Sequence, residues 1–513
     1  MQGAETLVRT LVAGGIDVCF ANPGTSEIHI VAALDRIPEM RSILALFEGV
    51  VTGAADGYAR MAEKPACTLL HLGPGLANGM ANLHNASRAH VPIVNVVGQH
   101  ATYHLQYDAP LTSDIEAIAR PYSKWLRTSR SSAEIGHDAA EAVIAARTAL
   151  GQIATLIVPA DVSWGGGAIA SIPPLPTPSA PDQQKIEQAA AMLRTGVPTA
   201  ILFSGNALYG KGLATAGRIA KATGAKLFAP YPITRLRRGA GLPPVERVQY
   251  VLEQGVEQFS QFRQLILVGA PAPVAYFAYP GKNSSFISPD CAVHILARPG
   301  EDYVLALENL ATALSAQNVE PAVENTTRPQ MPSGEIALAG LAAAVAALLP
   351  ENTIVVDESN TSGRGLMAAS KGAPPHDWLT NTGGSIGIAL PLALGAAVAC
   401  PDRHVLCLTA DGSAMYTAQA LWTMAREGLN VTTVVFANRT YGVLKREFSY
   451  LGVGEPGPRA AAMFDIGNPD LDWTLLAKGM GVPAVRVTSL DAFGKAVRAG
   501  LQNQGPSLIE VPV

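Results

Sequence analysis

Short apolar runs of strand length alternate with longer segments of helical spacing along the whole chain. In the first third the runs are DVCFANPG, ACTLLHLGPG, PIVNVVG and ATLIVPAD. TAILFSGNA, KLFAPYP and QLILVGAP follow in the middle, then TIVVDES, HVLCLTADG, NVTTVVFANR and SLIEVPV. Strands this uniformly apolar are buried on both faces, as in parallel sheets covered by helices. The pattern therefore predicts an α/β chain of doubly wound parallel-sheet domains. Two proline-rich stretches, IPPLPTPSAP (172–181) and EPAVENTTRPQMPSG (320–334), can continue neither a helix nor a central strand and read as linkers. They divide the chain into residues 1–170, 182–320 and 333–513. The first and third pieces read as possible structural copies, which the sequence alone leaves open.

Length and composition support that division. At about 150 residues per domain, 513 residues suggest three. Hydrophobic residues make up 48% and charged residues 15%, and the formal charge is -4, so no basic footprint for nucleic acid is present. The apolar stretches IALAGLAAAVAALL (336–349) and IGIALPLALGAAVAC (386–400) are too short to span a bilayer and predict buried helices. The N-terminus reads as an amphipathic helix rather than a signal peptide, so a cytoplasmic location is expected. The five cysteines form no C-x-x-C pair, and Cys407 lies inside an apolar strand, where it reads as core.

Candidate chemistry gathers at the ends of the last group of strands. Asp411 ends one apolar run, and SAMYTAQALWTMAREGL after it has helical spacing, with Met415, Leu421 and Met424 near one face. The start of that helix offers backbone N–H groups and a positive dipole end to phosphate. Asn438 ends the next strand. Asp411, Asn438 and the backbone carbonyl of Thr440, joined by two phosphate oxygens, would nearly complete an octahedral Mg²⁺ site.

Asp411-Gly412-Ser413 followed by Asn438 and Thr440 resembles the cofactor motif of thiamine-diphosphate enzymes, with Ala410 where the family usually has glycine. FANPGTSE (20–27), FEGVVTGAADGYAR (47–60), LLHLGPGLANGMANLHNA (69–86) and NTGGSIGIALPLALGAA (381–397) resemble the family in the same order. The resemblance implies a pyrimidine-binding first domain, a degenerate Rossmann-like central domain and a diphosphate-binding third domain. It implies thiamine diphosphate and Mg²⁺ as cofactors, with Asp411, Asn438 and Thr440 as metal ligands. Glu48 matches the glutamate that activates the aminopyrimidine ring. Gly384 and Ser385 match a turn that approaches the cofactor through its backbone, and Ile386 matches the apolar wedge that bends it. Gly412, Ser413, Tyr441 and Gly442 fall beside the diphosphate. In this family the cofactor lies between one protomer's first domain and its partner's third, so a homodimer or homotetramer is expected.

The pattern is most similar to benzoylformate decarboxylases. That resemblance implies addition of the ylide to a 2-oxo acid, loss of carbon dioxide and an enamine intermediate. His71 falls at an active-site histidine and Thr25 at a substrate-binding hydroxyl residue, while Gln99 ends a strand near the same cleft. His84, His100 and His104 read as structural or surface residues. A second histidine expected from the central domain is missing, because GAPAPVAYFAYPGK (269–282) offers only Tyr276 or Phe277 there. An acetolactate-synthase-like carboligase is therefore the alternative, and a non-catalytic cofactor-binding relative the second. A bound flavin is not expected, since YGKGLATAGRIAKATGAK (209–226) lacks G-x-G-x-x-G. The expected partners are a small 2-oxo acid and further copies of the chain, with neither nucleic acid nor membrane.

Overall fold

The computed structural model describes residues 1–513 and contains three sheets. In the first, six parallel strands lie side by side in the order Arg41–Leu44, Val18–Asn22, Ala66–Leu70, Ile93–Gln99, Ile153–Pro159 and Trp125–Thr128. The second has five parallel strands, ordered Glu246–Arg247, Lys226–Ala229, Thr199–Phe203, Gln264–Val268 and Ala292–Ala297. The third runs His376–Thr380, Ile354–Glu358, Val405–Ala410, Val431–Ala437, Ser507–Pro512 and Ala484–Arg486. This last order, taken in chain sequence, repeats that of the first sheet, so the two share one topology. The third sheet also carries a strand from the middle of the chain, Leu236–Arg238, antiparallel on its His376–Thr380 edge. The uniformly apolar runs do form parallel strands buried on both faces, as their pattern requires.

Twenty α-helices accompany these strands. The apolar stretches near the start and middle of the last piece form the Leu338–Leu348 and Ala389–Ala399 helices. The second is buried from residue 389 to 398 because it packs on the Glu48–Ala62 helix of the first sheet, and both contribute to one core of 51 residues. Small residues permit the approach: a methyl at Gly57 would collide with the Leu392 carbonyl, and one at Gly395 with that of Ala54. No helix is long and apolar enough to cross a membrane. All five cysteines are free, and Cys407 is fully buried in the core.

Arg60 ties the three sheets together. It is buried on the Glu48–Ala62 helix and pairs with Asp56 through two bonds of 2.7 Å. Its remaining N–H groups donate to the carbonyls of Thr234 (3.2 Å) and Thr380 (2.8 Å) and to Thr382 Oγ1 (2.9 Å). Removing one member of such a pair strands the other charge in the core. Arg60→Leu is expected to cost about 3–5 kcal/mol in denaturant unfolding. Asp56→Leu added to it should recover part of that loss.

Candidate functional site

Both six-strand arrangements have a switch point between their first and third strands in chain order, where connections leave in opposite directions and open a crevice. In the third sheet the switch lies between Ile354–Glu358 and Val405–Ala410, which pair up to Glu358 and Thr409. Ser359 and Asp411 therefore emerge side by side. The next strand, Val431–Ala437, brings Asn438 to the same edge.

Asp411 is 3% exposed and opens a short helix, Asp411–Ala414. Its Oδ1 accepts from the Gly412 N–H (2.9 Å) and its Oδ2 from the Arg439 N–H (2.7 Å). Burial pushes its pKa up, opposed by those N–H groups. The Arg439 guanidinium gives it no ion pair, binding Asp470 at 3.1 Å instead. Asn438 Oδ1 accepts from the Thr440 N–H (3.1 Å), and its Nδ2 donates to Thr361 Oγ1 (3.3 Å). Thr440 Oγ1 donates to the Phe464 carbonyl. A buried carboxylate without a basic partner, beside a carboxamide oxygen and a bend of backbone carbonyls, is a donor set suited to a hard divalent cation. The helix expected after Asp411 is broken by a tight turn at Met415–Thr417 and resumes at Ala420–Arg426. The break rotates Met415 outward, 44% exposed, while Leu421 and Met424 stay buried. It also shortens the aligned peptide dipoles, leaving individual N–H groups as the main attraction for phosphate.

A cavity of about 700 Å³ lies over this edge. Gly384, Ile386, Asp411, Gly412, Ser413, Asn438, Thr440, Tyr441 and Gly442 all line it. Ser413 Oγ accepts from Asn360 (2.8 Å), and a methyl at Gly412 would come within 2.7 Å of the Tyr441 ring. Gly384 has φ +83°, a conformation that side chains disfavour, and it stands open to the cavity. Ser385 stands behind that wall, with its carbonyl held by Asn85 and Asn381 at 2.8 Å. His84 accepts its structural reading, bonding the Gly383 carbonyl at 2.9 Å.

Sequence reasoning missed Glu358 in this group. Its buried carboxylate accepts from the Asn381 amide (3.0 Å) and from the N–H groups of Gly387 and Ala389 (3.1 Å). These bonds fix the backbone on either side of Ile386. Burial pushes the Glu358 pKa up to about 7. The only sequence signal was an acid at the end of TIVVDES.

The equivalent switch of the first sheet lies between Val18–Asn22 and Ala66–Leu70, which pair up to Asn22 and Leu70. Thr25 follows the first strand, exposed, and His71 follows the second, 23% exposed at its side chain. His71 Nδ1 lies 2.7 Å from Glu27 Oε2, which also accepts from the Gly24 N–H (2.7 Å). Glu27 is fully buried, and burial raises its pKa against the pull of Gly24 and His71. Leu72, next to His71, has φ +49°, a strained value for a bulky residue that re-aims the chain there. Glu27 was also missed, since an acid in NPGTSE reads equally well as a helix-start charge. Glu48 opens the Glu48–Ala62 helix, 8% exposed, and its Oε2 accepts from Asn78 at 3.0 Å. Gln99 is buried and turns back to the His100 N–H (2.8 Å). The rings of His100 and His104 lie 5.3 Å apart.

No residue of the first sheet's switch lines the cavity over the third. The two sets of candidate residues thus form separate half-sites within one chain.

Residues 1–118 match the thiamine pyrophosphate enzyme N-terminal TPP binding domain, and residues 363–511 match the C-terminal TPP binding domain. The chain is also 53% identical over 514 residues to a Mycobacterium tuberculosis protein named "Putative acetolactate synthase large subunit IlvX", covering 100% of this chain and 99% of that protein. The chain belongs to the thiamine pyrophosphate enzymes. Benzoylformate decarboxylase of Pseudomonas aeruginosa is 27% identical, over 97% of this chain and 96% of that enzyme. Among solved structures, a Rhodococcus jostii thiamine diphosphate-dependent 4-hydroxybenzoylformate decarboxylase has the same fold, with TM-score 0.87 and 22% identity over 100% of this chain and 99% of that one. Within the thiamine pyrophosphate enzymes, Asp411, Asn438 and Gly384 fall in the matched C-terminal region and Glu48, His71 and Thr25 in the matched N-terminal region.

Proposed function

We propose that this thiamine pyrophosphate enzyme is a Mg²⁺-dependent 2-oxo acid decarboxylase working as a homo-oligomer, with each site built from one protomer's first-sheet switch and another's third. The observation that carries the reading is the His71–Glu27 pair at 2.7 Å. It holds the imidazole by Nδ1 and leaves Nε2 to move a proton. Asp411, Asn438 and the Thr440 carbonyl would hold the cation, and the Gly412 and Ser413 N–H groups the diphosphate. The bound coenzyme supplies a carbon nucleophile and an electron sink for the departing carboxylate. Glu48 would bond the pyrimidine ring through its carboxyl group and pass a proton with it, Ile386 would shape the cofactor, and Thr25 would offer its hydroxyl to the substrate.

A second reading, carboligation, is favoured by the name of the 53% identical relative and by the central wall. Where an imidazole was sought, that wall presents Tyr276 and Phe277, neither of which shuttles protons near neutral pH. Retention of Glu48, Asp411 and Asn438 speaks against a non-catalytic relative.

Pyruvate, benzoylformate and branched 2-oxo acids, supplied with thiamine diphosphate and Mg²⁺, separate the readings by their products. Aldehyde as the main product supports decarboxylation; ligation products alone would move the assignment to the carboligase. His71→Ala is expected to lower aldehyde release by about 10²–10⁴-fold and to raise the share of ligation product. Unchanged aldehyde release in that variant would remove His71 from proton transfer.

A further inference from the structure

The cavity over the third sheet has a second wall that the cofactor residues leave unexplained. Tyr231, Arg247, Tyr250 and Tyr276 line it; Arg247 ends the Glu246–Arg247 strand, and the tyrosines lie in loops after Lys226–Ala229, Glu246–Arg247 and Gln264–Val268. These loops all leave the C-terminal ends of parallel strands of the central sheet, where such sheets place ligands. The three tyrosine rings form a closed triangle, with centroids 5.1 Å (231–250), 5.5 Å (250–276) and 5.8 Å (231–276) apart. Tyr276 also reaches the cofactor turn, since a methyl at Gly384 would lie 3.3 Å from its ring. The aromatic wall therefore begins where the cofactor cradle ends.

Arg247 gives this wall its charge. Its guanidinium lies over the Tyr231 ring, 3.9 Å from the centroid, and its Nε donates to the Tyr231 carbonyl at 2.7 Å. Both Nη groups are without a hydrogen-bond partner, and no carboxylate forms an ion pair with it. Arg446, over Tyr250 at 5.2 Å, differs in being paired with Glu447 at 3.3 Å. Burial pushes the Tyr250 pKa up to about 12 and raises that of Tyr276, so these phenols are neutral and do not repel an anion. A half-buried guanidinium held in place by stacking, with its fork unpaired, suits a carboxylate; the adjoining rings suit a planar group.

We propose that this wall is the side-chain pocket for the substrate, selecting an aromatic 2-oxo acid with a second carboxylate at the far end of its ring. The inference rests on the 2-oxo acid reading for the word substrate, but the pocket can be tested without turnover. Binding of terephthalate and of benzoate, neither of which reacts, is measured calorimetrically on the enzyme loaded with thiamine diphosphate and Mg²⁺. Terephthalate is expected to bind about 10- to 100-fold more tightly than benzoate, and Arg247→Gln to erase that preference. Tyr250→Leu, which keeps the guanidinium, should weaken both ligands together. In turnover, 4-carboxybenzoylformate should show a KM lower than benzoylformate by a similar factor, with Arg247→Gln raising that KM and leaving kcat in place. Loss of turnover on every 2-oxo acid, with terephthalate selectivity intact, would sink the decarboxylase reading and keep the pocket. Equal binding of the two acids, no binding of either, or an unaltered preference in Arg247→Gln would overturn the pocket. ADP displacing terephthalate with higher affinity would also overturn it, by assigning the wall to a nucleotide.

Discussion

Replacing Glu48 by glutamine is expected to lower turnover by about 10²–10⁴-fold while cofactor affinity changes little. The side chain is 8% exposed and braced by Asn78 at 3.0 Å, so glutamine can occupy the same space. An amide still forms hydrogen bonds but cannot take up and release a proton as the proposed role of Glu48 requires. On the proposed reading the diphosphate and cation contacts belong to the other half-site, which this substitution leaves untouched. Steady-state rates and calorimetric titration with thiamine diphosphate check both halves of the expectation. A variant that retains full turnover would remove Glu48 from the chemistry.

Asp411→Ala is expected to act on binding instead, weakening Mg²⁺-dependent retention of thiamine diphosphate by at least about 100-fold. The carboxylate is buried without a basic partner, so nothing nearby replaces its charge toward a cation. Alanine also removes the acceptor that the Gly412 and Arg439 N–H groups share, loosening the turns after two adjacent strands. Titration with thiamine diphosphate at fixed Mg²⁺ gives the apparent Kd. Parity with the unaltered protein would place the cation elsewhere.

The sequence made the third-sheet half-site readable because its residues end strands. Asp411 and Asn438 follow uninterrupted apolar runs, and neighbouring parallel strands bring such ends together. Glu27 and Glu358 were harder to see. Each is an acid near a strand end whose partners, His71 and the N–H groups around Ile386, lie far along the chain. The tyrosine triangle was invisible for the same reason, being drawn from three loops joined only by the central sheet. Helical spacing also misled at Met415, because the tight turn at Met415–Thr417 resets the phase of the following helix. The antiparallel Leu236–Arg238 edge carries only three residues, too few for a pattern. The shared topology of the first and third sheets accounts for the arrangement of the half-sites: each sheet carries its candidate residues at its switch point, Thr25 and His71 on the first, Asp411 and Asn438 on the third.

Joint production of the Glu48→Gln and Asp411→Ala chains tests most directly whether two protomers build each site. A mixed dimer would contain one site with both residues intact and one with neither. With random pairing, about a quarter of the sites would be restored, and activity should return to that fraction of the unaltered enzyme. Activity no higher than that of the two variants assayed separately, in material shown to contain mixed dimers, would contradict the account.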